Sequence, residues 1–394
     1  MRPSNAVFAA LVLAIALPDT AGAIPSFARR YKMSCQGCHN VVPSLNAFGE
    51  QFAENGFRLF SGEEPSDTVG TGDDALVLLQ NFAMSARLDA YAQLYAGNRA
   101  VTDFQTPYSL KLLSSGPLSK KISWYFYAFL LERGEVGGVE DAFLVYDDVG
   151  GAPVDVVVGQ FQISDPLFKR ELRLEFEDYA VYRARLGEAL ADLTYDRGVM
   201  VTADALGFGL AGIVVNGNGR GAAGDDRRYD VDAGKNALLR VTRDLGAGVR
   251  IGGFGFYGTA EADNAEENET TMLGVDGTFA SGPVEVNVQY LHRDDDRPTF
   301  DPGDPGAELD GGFAELLVRP AESRWYGFGL YNLVTADRPI LDVRLDTPGG
   351  VRRYETLTGG IGYLLQRNLR VTGETTWDME MESTRWTLGF VSAF

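Results

Sequence analysis

From Leu76 to the C-terminus, apolar and polar side chains alternate along the chain in segments of about ten residues. The clearest of these segments covers residues 284–290 and reads Val-Glu-Val-Asn-Val-Gln-Tyr. Successive side chains of a β-strand point to opposite faces of the sheet, so a period of two is typical of strands. No long helical period appears in this region, and the pattern predicts an all-β domain over residues 76–394.

Two kinds of β protein fit this alternation. A soluble sandwich buries its apolar face, whereas a transmembrane barrel turns that face to lipid and its polar face to the lumen. Short glycine-rich turns at 245–248 and 280–283 alternate with long acidic stretches at 261–269 and 294–310. Aromatic residues also gather near strand ends, where the girdles of a membrane barrel lie. These features favour the transmembrane barrel.

The number of strands in the barrel follows from the number of residues in this domain. A tilted membrane strand takes ~10 residues and its connections take about as many more, so residues 76–394 predict about 16 antiparallel strands. An even number leaves both ends of the chain on one side of the membrane, and a barrel of this size encloses an aqueous lumen. The last strand, 386–394, alternates and ends in Phe394, which resembles the C-terminal strand of bacterial outer-membrane proteins.

The N-terminus has the pattern of a secretory signal peptide. Arg2 precedes an apolar stretch over residues 6–17, and Ala-Gly-Ala at 21–23 supplies the small residues of a cleavage site. The alternative is an anchor helix, but this stretch is shorter than the ~20 residues that span a bilayer. We expect residues 1–23 to be removed and the mature chain to begin at Ile24.

Net charge and cysteine content further restrict the class of protein to which the chain can belong. The formal net charge is −20, which repels nucleic acid and suits attraction of cations. The chain has two cysteines, too few for the disulfide framework of a secreted protein. We therefore expect no nucleic-acid partner and a different use for the cysteines.

Both cysteines lie in the pentapeptide Cys35-Gln36-Gly37-Cys38-His39. This is the motif by which c-type haem is attached: two thioethers hold the haem vinyl groups, and the adjacent imidazole is the proximal iron ligand. A structural zinc site would need four ligands, and a thioredoxin-like pair would need a βαβ unit. The motif predicts one covalent haem c on Cys35, Cys38 and His39.

Around the motif, the sequence indicates a small helical cytochrome domain over residues 24–60. Leu45, Phe48 and Phe52 recur at helical spacing after Pro43 or Ser44, and Gly56 is placed to end the helix. Such a small domain must pack on the porphyrin, because it is too short for a core of its own. Residues 61–75, rich in Gly, Pro, Ser, Thr and acidic residues, are predicted to be a linker.

Charged and sulfur-containing side chains offer further candidates. Arg29, Arg30 and Lys32 could pair with the haem propionates or form a solvated basic face. The segment Lys169 to Arg173 could fold inward toward the propionates, or be an ordinary loop or a lumen-facing strand end. Three residues are candidates for the distal haem ligand. Met200 and Met272 share the polar face of their predicted strands, which should point to the lumen, whereas His292 shares an apolar face, which should point to lipid. An open or water-ligated position is the alternative.

These residues carry a resemblance to a known family. Residues 24–31, the motif at 35–39, and Pro43, Leu45-Asn46, Phe48-Gly49, Phe52 and Gly56-Phe57 resemble the N-terminal domain of fused monohaem cytochrome–porins. These proteins are outer-membrane iron oxidases of iron-oxidising bacteria. Residues 159–172 are also similar to barrel sequence in such proteins.

The resemblance implies an iron(II):cytochrome c oxidoreductase in the outer membrane of a Gram-negative bacterium. Extracellular Fe(II) would be the electron donor and a periplasmic c-type cytochrome the acceptor, with the haem domain at the periplasmic mouth or in the pore. Acidic loops would concentrate the divalent cation, or are merely normal for porins. Two alternatives stay open: an outward electron conduit, and a diffusion porin with a haem plug.

Overall fold

The computed structural model describes residues 26–39, 45–73, 75–76, 78–80, 82, 84–97, 100–167, 171–230, 232–262, 264–343, 349–366 and 368–394. The predicted signal peptide, residues 1–23, lies outside these ranges. Within them, sixteen antiparallel strands form one closed barrel, which confirms the predicted architecture and strand number.

We number the barrel strands β1 to β16. Their bounds are β1 Met84–Ala96, β2 Ala100–Pro117, β3 Ile122–Glu132, β4 Val139–Tyr146, β5 Val154–Gln162, β6 Tyr195–Ala205, β7 Phe208–Val215, β8 Asn236–Gly246, β9 Val249–Glu261, β10 Glu267–Ser281, β11 Val284–Asp295, β12 Ala307–Val318, β13 Trp325–Ala336, β14 Arg353–Gln366, β15 Leu369–Asp378 and β16 Ser383–Ala393. A two-residue piece, Glu135–Val136, precedes β4 along β3. Pairing of β16 with β1 closes the barrel.

The alternation predicted from the sequence has the orientation of a membrane barrel. Along β10, Met272 and Asp276 are buried inside the barrel, whereas Leu273 and Val275 between them are exposed on the outer wall. Apolar side chains on the outside and polar ones on the inside are the inverse of a soluble protein. No helix in the described part of the chain is long and apolar enough to cross a bilayer.

The connections differ between the two ends of the barrel. At one end, which we call the short-turn end, residues 206–207, 247–248 and 282–283 join strands with two-residue turns. At the other, the long-loop end, the four longest connections are 163–194, 216–235, 296–306 and 337–352. In outer-membrane barrels the short turns face the periplasm. The predicted loop over 261–269 is shorter than expected, because strand pairing continues through Glu261 and Glu267.

The longest connection folds back into the barrel. This inner loop, residues 163–167 and 171–194 of the described chain, contains a one-turn helix, Ala180–Arg183. Its side chains Leu167, Leu186 and Tyr182 are fully buried, and they form one cluster with inward-facing wall residues. The main apolar core therefore lies in the lumen.

The N-terminal part of the chain is helical and lies at the short-turn end. Its helices are α1 Ser26–Tyr31, α2 Cys35–Cys38 and α3 Ala47–Glu54. A small ribbon, Thr68–Val69 paired with Leu78–Leu79, lies in and just beyond the predicted linker. The first barrel strand begins at Met84, eight residues after the predicted domain start at 76.

Candidate functional site

The Cys-Gln-Gly-Cys-His motif lies on a single helical turn and the residue that follows it. Helix α2 contains Cys35 and Cys38, and His39 forms an isolated bridge with Leu45. Asn46 fixes the turn from both sides, since its backbone N–H donates to the Cys38 carbonyl at 2.8 Å and its Nδ2 donates to the Gly37 carbonyl at 3.0 Å. Two cysteines and a histidine are thus presented by one short, hydrogen-bonded peptide.

Helix α3 packs directly on this turn. A Cβ at Gly49 would lie 2.1 Å from the Cys38 carbonyl oxygen, so only glycine permits this approach. Asn46 caps the helix by accepting the Gly49 N–H at 2.9 Å, so the helix begins a few residues after the predicted Pro43 or Ser44. Gly56, with φ of +63°, follows its C-terminal end as predicted.

An aromatic cluster forms the core of the N-terminal segment, by which we mean residues 26–39 and 45–63. Phe52 and Phe57 are buried, and Phe27 packs on both with ring centroids 5.1 and 5.5 Å away. Tyr31 packs edge-on against Phe52 and donates to Glu63 at 3.0 Å. Burial and the neighbouring Glu63 together raise the pKa of Tyr31, although Arg30 opposes this, so its hydroxyl stays a donor.

The residues present fit a covalently held haem. Cys38 is partly accessible, and Gly37 is exposed, with no other part of the described chain within 4 Å of an added Cβ, so this side of the motif is accessible. Phe48, on the adjacent face of α3, leaves 40% of its surface exposed. Two thiols and an imidazole are what covalent attachment and axial ligation of a porphyrin require, and the exposed ring of Phe48 offers it an apolar surface.

One side of the N-terminal segment is bound to the wall by β3 and β4. The ring of Phe57 stacks on Tyr125 of β3 at 4.4 Å, and Tyr125 stacks on Phe143 of β4 at 5.2 Å. Beside them Arg58, which is fully buried, forms an ion pair with Asp147 in the β4–β5 turn. Burial lowers the pKa of Arg58, while surrounding carboxylates, with Glu63 the largest contributor, oppose that decrease.

The opposite side of the segment is held by two arginines from across the barrel. Arg250 at the start of β9 forms an ion pair with Glu50 of α3, its Nη2 lying 3.2 Å from Oε1. Arg319, which follows β12, donates to the carbonyl oxygen of His39 at 2.9 Å. Because β4 and β12 are half the ring apart, these contacts span the mouth at the short-turn end.

The inner loop runs along the lumen between the two ends of the barrel. Its Glu175 pairs with Arg370, the second residue of β15 at the short-turn end, whereas the carbonyls of Ala184 and Ala191 accept from Arg293 near the long-loop end of β11. Alternate side chains of residues 171–177 bind charged residues of the wall. These pairs are Glu171 with Arg87 (3.4 Å), Arg173 with Asp89 (2.6 Å), Glu175 with Arg370 (2.9 Å) and Glu177 with Arg385. Tyr179 and Tyr182 then bind Glu315 and Gln289 on the facing wall. The loop is thus attached on both sides of the lumen.

None of the three distal-ligand candidates contacts the motif in the described contacts. Met200 and Met272 are buried in the lumen cluster, which confirms their predicted parity. Met272 lies six residues along β10 from Thr278, the partner of Arg250, which is about 20 Å at strand spacing. His292 points to the outer wall, as its parity predicts, and its Nδ1 lies 3.0 Å from Asp310.

The structure describes only some side chains of the two predicted basic clusters. Arg30 lies 3.8 Å from Glu63 and Lys32 is exposed, whereas the side chains of Arg29, Lys169 and Arg170 lie outside the described residues. Among described residues, no group of three or more His, Cys, Asp or Glu side chains is arranged to hold a metal ion.

Sequence reasoning missed the side chains that hold the N-terminal segment to the barrel. Arg58, Arg250 and Arg319 look like ordinary surface arginines in the sequence, since their partners lie 89, 200 and 280 positions away. A weak signal was available for Arg319, which stands in a short turn on the side to which the predicted haem domain is tethered.

Comparisons with known proteins agree with the barrel. No protein-family model matches the chain, and no curated protein matches it. Among solved structures it is similar to a loop-deletion form of OmpT of Vibrio cholerae, with TM-score 0.55 and 12% identity over 80% of this chain and 99% of that one. It is also similar to the outer-membrane channel DcaP of Acinetobacter baumannii, with TM-score 0.55 and 10% identity over 85% of this chain and 100% of that one. An anion-selective porin of Comamonas acidovorans has TM-score 0.53 and 10% identity over 80% of this chain and 99% of that one. The fold is that of outer-membrane porins.

Proposed function

We propose that this chain is an outer-membrane electron-transfer protein: a porin-type barrel whose periplasmic mouth holds one covalent haem c. The observation that carries the proposal is the position of residues 35–39. They belong to a segment that crosses the mouth of the lumen and is bound to the wall on both sides. A redox group attached there would be reachable from the lumen on one side and from the periplasm on the other.

The chain's own residues have distinct parts in this proposal. The thiols of Cys35 and Cys38 would form the thioethers, and the imidazole of His39 would be the proximal ligand. A c-type haem bound at this motif supplies reversible one-electron chemistry. Asn46, Gly49 and the arginine contacts of the mouth fix the peptide that presents these groups.

The electron donor in this proposal is Fe(II), and the acceptor is a soluble periplasmic cytochrome. Each Fe(II) loses one electron and becomes Fe(III), and each ferric acceptor gains one. A net charge of −20 attracts a divalent cation to the barrel. In the N-terminal segment, Phe60 is also exposed, which gives a protein partner apolar surface to contact.

The second candidate is a diffusion porin in which the N-terminal segment acts as a plug. The likeness to porins favours it, because all the reported neighbours are described as outer-membrane proteins, channels or porins. In that case small solutes cross the lumen and the motif has no part in electron flow. The inner loop and the N-terminal segment, both across the lumen, would then limit solute size.

The experiment that tests the proposal is anaerobic mixing of the oxidised, detergent-purified protein with excess ferrous iron. We expect the Soret and α bands of the reduced haem to appear within seconds, at a pH where the reaction is downhill. A Cys38→Ala variant, which cannot form both thioethers, is the control. A haem that stays oxidised for minutes would exclude iron oxidation, and a protein without haem would leave the porin as the function.

A further inference from the structure

Arg319 of the barrel hydrogen-bonds to the backbone of the haem-attachment motif. It is the first residue of the turn 319–324 between β12 and β13, and its own N–H donates to the Pro283 carbonyl at 2.7 Å. Its guanidinium reaches the carbonyl oxygen of His39, at 2.9 Å. A turn of the barrel that is itself hydrogen-bonded to its neighbour therefore holds the residue whose imidazole is the expected iron ligand.

The environment of Arg319 strengthens the effect of its charge. Burial lowers its pKa, yet an arginine in a protein remains a cation at all ordinary pH values. The charge is partly withdrawn from water, so its field on nearby groups is screened less than that of a surface residue. Arg324 stands in the same turn and is exposed to solvent, which makes it a matched control.

We propose that Arg319 is a positioning residue for the haem: it fixes the peptide of His39, and its positive charge favours the reduced over the oxidised form. This inference rests on the proposed function, since it requires a haem on the motif. Oxidation adds one positive charge at the iron, and a neighbouring cation opposes that addition. The barrel would thus contribute to the redox potential of a group carried by the N-terminal segment.

The experiment compares midpoint potentials of the purified holoprotein by optical redox titration. The variants are Arg319→Gln, Arg319→Lys and, as control, Arg324→Gln. In Arg319→Gln we expect the ratio of oxidised to reduced haem at a fixed solution potential to increase roughly tenfold. This corresponds to a midpoint potential about 59 mV more negative than that of the wild type. Arg319→Lys keeps the charge, so its ratio of oxidised to reduced haem should stay within about threefold of the wild-type ratio. The same is expected of Arg324→Gln.

A fourth variant separates the charge of Arg319 from looser docking. Glu50→Gln removes the neighbouring ion pair with Arg250 but keeps Arg319 in place. Because Glu50→Gln removes an anion, any electrostatic shift of its midpoint potential should be positive, opposite in sign to that of Arg319→Gln. A negative shift of equal size in Glu50→Gln and Arg319→Gln would show that looser docking is the cause and would overturn the inference, as would no shift in Arg319→Gln. Absence of haem from the wild-type protein would instead overturn the proposed function on which it rests.

Discussion

Replacing Arg58 by leucine tests how the N-terminal segment is held in the mouth of the barrel. The Arg58 side chain is completely buried, and Asp147, its ion-pair partner, is nearly so. Its Nη1 also donates to the Lys120 carbonyl at 2.8 Å and its Nε to the Asn55 carbonyl at 3.1 Å. The substitution leaves a buried carboxylate without its cation, and that loss typically costs about 3–5 kcal/mol.

This cost should appear in the equilibrium between the docked and the undocked segment. At 1.4 kcal/mol per factor of ten, 3–5 kcal/mol increases undocking about 150- to 4,000-fold. The double variant Arg58→Leu/Asp147→Leu removes both charges, and we expect it to recover more than half of that loss on a logarithmic scale. Recovery is incomplete because the carbonyls of Lys120 and Asn55 still lose their donor.

Hydrogen–deuterium exchange of helix α3, residues 47–54, measures this opening in the intact protein. The barrel amides serve as an internal reference, since β-strand exchange should not change. The reasoning is refuted if Arg58→Leu accelerates exchange in α3 by less than about threefold. It is also refuted if the double variant opens as much as the single one.

Three further predictions follow from the same contacts. Cys35→Ala or Cys38→Ala should weaken covalent haem attachment, seen as a fainter peroxidase-stained band on denaturing gels at the mature mass. Phe57→Ala removes a buried ring and should destabilise docking by about 3–5 kcal/mol, measured by exchange in α3. Glu177→Gln breaks the buried pair with Arg385 and should loosen the inner loop, with larger conductance fluctuations in planar bilayers and faster exchange over residues 171–183. A variant that conducts like the wild type would show that the pair does not hold the loop.

The barrel was predictable because its signals are local. Parity alone places Met272 inside and Leu273 outside, since neighbouring side chains of a strand must face opposite ways. The two-residue turn at 247–248 is equally local: Gly248 has φ of +76°, and a Cβ there would lie 2.0 Å from the Ala280 carbonyl. Strand number follows from length once strands and turns are recognised.

For the inner loop, the sequence offered inward folding of residues 169–173 only as one of several alternatives, and its full course was not predicted because its partners are distant in sequence. Residues 171–177 alternate charged and apolar side chains, as a barrel strand does, so the segment cannot be told from a strand by periodicity. Its true character depends on pairs such as Glu177 with Arg385, 208 positions apart. The same holds for the arginines that secure the N-terminal segment. The attachment motif was predictable because its chemistry lies within five consecutive residues.

Transfer of electrons across a membrane vesicle tests the central claim most directly. The protein is reconstituted into vesicles that contain ferric cytochrome c, and ferrous iron is added outside without oxygen. We predict that the entrapped cytochrome is reduced by wild-type vesicles and, in proportion to the haem that it retains, more slowly by vesicles with the Cys38→Ala variant. Equal reduction by both proteins would mean that iron itself diffuses through the pore, and no reduction by either would mean that no electron crosses; each result would contradict the account.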